Sequence, residues 1–221
     1  MTHEALLQRT SFFANTPLDV LSTVTAQAQI RNLQRGDVLF NEGDVPDALF
    51  VVLSGRVAIA IGNKPLDSRE SMLALMETGD LFGELGMIDS GLRSAMARAI
   101  EPSSVLSIPY APVLKQIQST PNMLWGVTKL LATRLRVMDE VLADSVFLDV
   151  TGRTAKRLLE LSSGKDEFVL PVTQEELAGM VGASRERVNK AIASFIRLGW
   201  LEQRDRQYKI LMRERLSVRS S

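Results

Sequence analysis

The chain has 221 residues, 45% of them hydrophobic and 24% charged, enough to bury one large core or two small ones. It has no cysteine and one histidine, His3 in a polar N-terminus. That composition excludes disulfides, thiolate metal sites, iron–sulfur clusters and cysteine nucleophiles, and it leaves no core imidazole for acid–base catalysis, haem or zinc. The formal net charge is zero, yet residues 1–148 carry 12 Lys and Arg against 16 Asp and Glu, and residues 149–221 carry 14 against 10. A basic C-terminal third suits a polyanionic partner. With no run of about 18 apolar residues and no basic-then-apolar leader, the sequence reads as cytoplasmic, without a membrane.

In chain order, "NTPLDVLSTVTAQA" predicts a helix over about 17–27, with Thr16 as N-cap, Pro17 in the first helical position and Asp19 near the positive end. A stretch without helical period follows. "RGDVLFNEGD", "ALFVVLSGRVAIAIG", "SMLALMETGDLFG" and "RSAMARAIEPSSVLSIP" are short apolar runs separated by Gly-Asp, Ser-Gly and Pro, the grammar of a small β-barrel or jelly roll. Gly36-Asp37 and Gly79-Asp80 each precede an apolar strand start, which suggests two halves of similar build.

At "STPNMLWGVTKLLATRLRVMDEVLADS" the period changes. Thr120 is placed to cap, Pro121 to start, and a helix runs to about 145 with a stripe at Leu124, Thr128, Leu131, Leu135, Met138, Leu142 and Ser145. The alternating steps of four and three are a heptad seam suited to a two-helix coiled coil. "FLDVTGR" is a junction: Asp149 caps a helix to about Leu161, ended by Gly164 before a short strand, "FVLPV". Thr173 and Glu176 then form a capping box, Gly182 supplies a tight turn, and Ser184 caps a second helix. Leu177, Val181, Val188 and Ile192 face one another, which makes a helix-turn-helix, and "WLEQRDRQYKIL" adds a hairpin wing turning at Arg204-Asp205-Arg206.

Two places carry chemistry. In "FGELGMIDSGLRSA", residues 82–95, one acid, Glu84, and one base, Arg93, stand in a glycine-studded, otherwise apolar segment. Read alone, the pair suits a salt bridge tying down a turn. On the second helix of the helix-turn-helix, Arg185 has the fork for guanine O6 and N7, Glu186 accepts from cytosine N4, and Lys190 reaches a guanine or phosphate one turn on, with Asn189 on the same side. Thr173 and Gln174 stand at a helix N-terminus, where phosphate is favoured.

Across essentially its whole length the chain resembles the CRP/FNR superfamily of bacterial transcription regulators, on "FGELG…RSA", the long helix, "FLDVTGR" and "VGASRERVNK". The resemblance implies an α+β fold: a cyclic-nucleotide-binding β-roll (1–119), a dimerisation helix and hinge (120–148), and a winged helix-turn-helix (149–221). It implies that Arg93 neutralises a cyclic phosphate and Glu84 accepts from the ribose 2′-OH. Main-chain N–H groups around Gly83, Leu85 and Ser94 complete the cradle. In the empty pocket Glu84 and Arg93 are expected to pair with each other. Where cAMP-responsive members carry Thr-Ser or Thr-Asn on the long helix, this chain has Met138 and Asp139, an apolar seam residue and an acceptor-only carboxylate. Ser94 is the residue usual in cAMP binders, so cAMP is the expected effector, with cGMP, or action without an activating nucleotide, as the alternative and no metal.

The implied partners are a second copy of the chain, an operator duplex with TGTGA-like half-sites contacted also through Ser184, and RNA polymerase. A nucleotide-binding module acting on a protein partner would not need Arg185 and Glu186. An enzyme would need a catalytic constellation that no paired residues supply.

Overall fold

The computed structural model describes residues 2–62, 70–120 and 122–221. Two compact units emerge, one of residues 2–62 and 73–136, the other of 70–72 and 137–221. Pro121 of the predicted helix start lies outside the described residues.

In the first unit, α1 (His3–Leu7) and α2 (Leu18–Thr25) precede the strands. Thr16 does not cap α2: it is buried, and the helix begins at Leu18 with no side-chain cap. The chain arrives from the buried Phe12-Phe13 turn, and the Thr16 carbonyl faces inward to accept from Gln8 Nε2 (3.4 Å). The strands form two four-stranded antiparallel sheets. One has the order β1 (Gln29–Leu33), β8 (Ser103–Pro109), β3 (Ala48–Ser54), β6 (Leu81–Phe82). The other runs β2 (Val38–Phe40), β7 (Met96–Ala99), β4 (Val57–Gly62), β5 (Glu70–Met76).

The run "ALFVV" is continuously apolar because both faces of β3 are covered. Ala48, Phe50 and Val52 join the core with Val57, Phe82, Ala97 and Val105, while Leu49 and Val51 join the helices' core with Phe12, Phe13, Ile108 and Val113. The two Gly-Asp turns are indeed built alike. Gly36 and Gly79 take φ of 93° and 96°, and the Asp37 and Asp80 carboxylates accept from Gln34 and Glu77 N–H, each at 2.8 Å.

Between β6 and β7 lies α3 (Leu85–Asp89), and after β8 comes α4 (Tyr110–Ser119). The long helix α5 (Asn122–Phe147) begins by burying Met123, Val127 and Leu130 against the first unit's core. Gly126 allows this approach, since a Cβ there would sit 2.0 Å from the Phe12 carbonyl oxygen. Of the predicted seam, Leu131 packs partly on that same core, whereas Leu135, Met138 and Leu142 are 63%, 51% and 64% exposed in the single chain.

In the second unit Asp149 caps α6 (Val150–Leu161), its Oδ1 accepting from Gly152 N–H at 2.8 Å. The strand expected at "FVLPV" falls slightly earlier, at β9 (Glu167–Val169), because Pro171 has no N–H for a ladder. β9 pairs with β11 (Gln207–Ile210), which pairs with β10 (Leu201–Arg204) to form the wing. α7 (Gln174–Val181) carries both bonds of the Thr173/Glu176 capping box and ends at Gly182 with φ 66°. α8 (Arg185–Arg197) starts from the Ser184 cap and buries Val188, Ala191, Ile192 and Phe195, a 3.6-residue stripe. A last helix, α9 (Arg213–Arg219), bonds α6 through Arg219 on Asp149.

Candidate functional site

In the loop between β6 and β7, Gly83 takes φ 78°, so the chain reverses and places Glu84 directly before α3. A Cβ on Gly83 would lie 2.7 Å from Arg93 Nη1, so the guanidinium fits against this glycine. The Arg93 main chain is pinned by the 41–44 turn: its N–H donates to Asp44 O (2.9 Å) and its carbonyl accepts from Gly43 N–H (2.8 Å). Glu84 is 0% exposed and Arg93 6%, so the acid and the base are both buried.

They do not pair with each other. Glu84 Oε1 is held by Arg134 of α5, whose Nη2 also donates to Leu81 O at 2.7 Å. Arg93 turns instead to main-chain carbonyls, Gly83 O at 2.8 Å from Nη1 and Ala48 O at 2.7 Å from Nη2. Nη1 also donates to the Tyr110 hydroxyl (3.1 Å), and that hydroxyl donates to Gly83 O. The expected Glu84–Arg93 pair fails because Arg134 reaches the carboxylate from the helix while the Arg93 tip is turned to the Gly83 and Ala48 carbonyls and the Tyr110 hydroxyl. Burial pushes the Glu84 carboxyl above its ordinary range, and the Arg134 charge pulls against that rise. Burial likewise pushes the Tyr110 phenol up.

Two buried polar atoms here have no partner among the described residues: Glu84 Oε2, an acceptor, and Arg93 Nε, a donor. Such orphans are uncommon in a folded interior. Leu85 and Ser94 are exposed beside them, and the Ser94 hydroxyl has no partner among the described residues. One cationic N–H, one hydroxyl donor and one carboxylate oxygen fit an anion that also carries a hydroxyl group, such as a sugar phosphate. Met138 and Asp139 are exposed on α5, the first of them one turn beyond Arg134. Arg134 itself went unread in the sequence. Its signal was an arginine prolonging the buried stripe Met123, Val127, Leu130 by one turn.

On the helix-turn-helix, Arg185, Glu186, Asn189 and Lys190 all stand exposed on α8, with Arg187 beside them as a further cation the sequence reading passed over. Glu186 and Lys190, one turn apart, form an ion pair (2.7 Å), and that contact holds the Glu186 carboxyl below its ordinary value. Arg185 has no ion pair among the described residues. Ser184 Oγ accepts from Arg187 N–H (3.4 Å), and Thr173 Oγ1 from Glu176 N–H (3.2 Å), so both hydroxyls serve as caps. The Gln174 side chain is turned to the wing, donating from Nε2 to the Tyr208 hydroxyl (2.6 Å).

Known proteins point the same way. The family profile described as the cyclic nucleotide-binding domain matches residues 30–120, and that of the Crp-like helix-turn-helix domain matches residues 152–219. A CRP-like cAMP-activated global transcriptional regulator of Mycobacterium tuberculosis is 35% identical over 98% of this chain and 99% of its own length. The cAMP-activated global transcriptional regulator CRP of Salmonella typhimurium is 34% identical over 70% of this chain and 76% of its own. Among solved structures, the c-di-GMP responsive global regulator CLP of Xanthomonas campestris superposes with a TM-score of 0.76 at 26% identity, covering 88% of this chain and 99% of that one. A cassette of buried acid and arginine joined in one chain to a winged helix-turn-helix defines a ligand-sensing DNA-binding protein. The chain belongs to the CRP/FNR family: it is a cyclic-nucleotide-binding, DNA-binding transcription regulator and not an enzyme.

Proposed function

We propose that the protein is a homodimer switched by cAMP, which binds the Gly83–Ser94 cassette and sets two α8 helices to read a pseudo-palindromic operator. The observation that carries this reading is the pair of orphaned buried atoms, Glu84 Oε2 and Arg93 Nε. In the bound state Arg93 Nε and the Ser94 hydroxyl donate to the cyclic phosphate, Glu84 Oε2 accepts from the ribose 2′-OH, and the N–H groups around Gly83 and Leu85 complete the cradle. Arg134, bonded to Glu84 Oε1, leaves Oε2 for that bond. Ser94 and the cAMP-activated relatives favour cAMP. Asp139, with Met138, is the proposed base contact, and because an ionised carboxylate accepts from either adenine N6 or guanine N1 and N2, cGMP stays the alternative.

Dimerisation is supported by the exposed apolar seam of α5, which a second copy would cover. Two-fold symmetry then places two half-sites, TGTGA-like, one helical turn apart. Arg185, Glu186 and Lys190 face base edges, with Asn189 beside them, and Thr173, Gln174 and Ser184 lie toward phosphates. The sensor is assigned to 1–119, the dimerisation helix and hinge to 120–148, and the DNA-binding part to 149–221, with RNA polymerase as a further partner. Calorimetry with cAMP, cGMP and c-di-GMP on wild type, Arg93→Ala and Asp139→Ser tests the reading. cAMP binding lost in Arg93→Ala supports it; undiminished cAMP binding there, or a preference for another nucleotide in wild type, refutes it.

A further inference from the structure

Arg93 is a buried cation without a buried carboxylate. Glu84 is engaged by Arg134, and the acid nearest to Arg93, Asp47, sits 3.9 Å away and 82% exposed, where water screens it. What surrounds the guanidinium instead is aromatic. Its central carbon lies 4.1 Å from the Phe40 ring centroid, 5.4 Å from Phe50 and 5.9 Å from Tyr110. Phe40 and Phe50 stack on each other at 5.7 Å, and Phe50 stacks on Phe82 at 5.5 Å, so the box rests on the barrel core. Ring faces are negative and lie within cation–π range, and the guanidinium is planar enough to stack on them.

We propose that Phe40, Phe50 and Tyr110 form an aromatic box whose role is to hold Arg93 oriented and without a buried counter-ion, as a preorganised receptor for one phosphate anion. This rests on the reading of Arg93 as the phosphate ligand. A carboxylate partner would have to be displaced by every arriving phosphate. Ring faces and the carbonyls of Gly83 and Ala48 compensate the charge without competing at Nε. Each of the three aromatics is a positioning residue acting through Arg93. Phe40 tests this most cleanly, because it is half-buried on β2 and gives Arg93 its nearest ring.

Loosening a preorganised, rotamer-rich side chain weakens binding by about three- to tenfold. Calorimetry with cAMP on the full chain therefore compares Phe40→Leu, which keeps an apolar side chain of similar size without a ring face, with Phe40→Tyr, which keeps the face. Tyr110→Phe removes one bond to Arg93 and keeps the ring. The box predicts a three- to tenfold loss in Phe40→Leu, affinity within about twofold of wild type in Phe40→Tyr, and a smaller loss in Tyr110→Phe. Thermal melts of all three are run in parallel. An unchanged affinity in Phe40→Leu, or an equal loss in Phe40→Tyr, overturns the box. If Phe40→Leu melts lower yet binds as wild type, Phe40 is packing alone and the proposal fails. Arg93→Ala that still binds cAMP would sink the parent reading instead, so the two failures are distinguishable.

Discussion

Replacing Arg134 by Ala should strand the Glu84 carboxylate. Glu84 is fully buried, and Arg134 is the cation that contacts it. Breaking a buried ion pair by removing one partner costs about 3–5 kcal/mol, because the remaining charge keeps its desolvation penalty. The Arg134 side chain is 31% exposed, so water recovers part of the lost interaction and the lower end, about 3 kcal/mol, is expected. In a chain of this length that lowers the melting temperature by about 6–12 °C.

The loss depends on pH. Burial raises the Glu84 carboxyl in the folded state, so the native protein keeps a proton that the unfolded chain has already released, and stability falls as pH rises through that window. Without Arg134 the window widens upward, so the deficit should be larger at about pH 8 than at about pH 5. Thermal melts of wild type, Arg134→Ala and Arg134→Ala/Glu84→Gln at both pH values are the assay. The neutral glutamine should restore most of the loss at the higher pH. Equal melting of Arg134→Ala and wild type at pH 8, or no recovery in the double variant, would refute this account of the pair.

Other consequences follow from the same geometry. Leu135→Ala/Leu142→Ala should shift sedimentation toward monomer, since each leucine buried in a dimer contributes about 2–5 kcal/mol; a variant still fully dimeric at low concentration contradicts the seam. Those two are better probes than Leu131, which also packs on its own core. Arg185→Ala should lose about 1–3 kcal/mol of discrimination at one G·C pair, seen by binding to a panel of single-base operator variants. A uniform loss over the panel would make Arg185 a phosphate contact. The Asp149 carboxyl is held below its ordinary value by Gly152 N–H and then by Arg219. Its stabilisation is therefore present above the ordinary carboxylate range and fades as pH falls through the depressed value. Asp149→Ala should cost about 0.5–2 kcal/mol in neutral denaturant melts, and no change would dismiss the cap.

Much of the second unit was legible because its signals are local. Thr173, Glu176, Gly182 and Ser184 act within three residues of themselves, and the helix starts and the turn fall where those residues put them. The first unit was legible only as strand grammar. Its pairings join Gln29 to Ser107 and Val57 to Ala99, separations that no local pattern encodes. The cassette followed from its motif, but the partner of Glu84 did not, because Arg134 lies 50 residues away and meets it only once α5 has packed through Val127 and Leu130. Thr16 carried a sound capping signal that burial overrode.

The most direct test of the account is the affinity of the wild-type protein for a duplex with two TGTGA-like half-sites one turn apart, measured with and without saturating cAMP. The account predicts that cAMP tightens binding by at least about tenfold in wild type, a coupling near 1.4 kcal/mol, and leaves Arg93→Ala unmoved. An operator affinity that does not respond to cAMP, or that responds equally in Arg93→Ala, would contradict it.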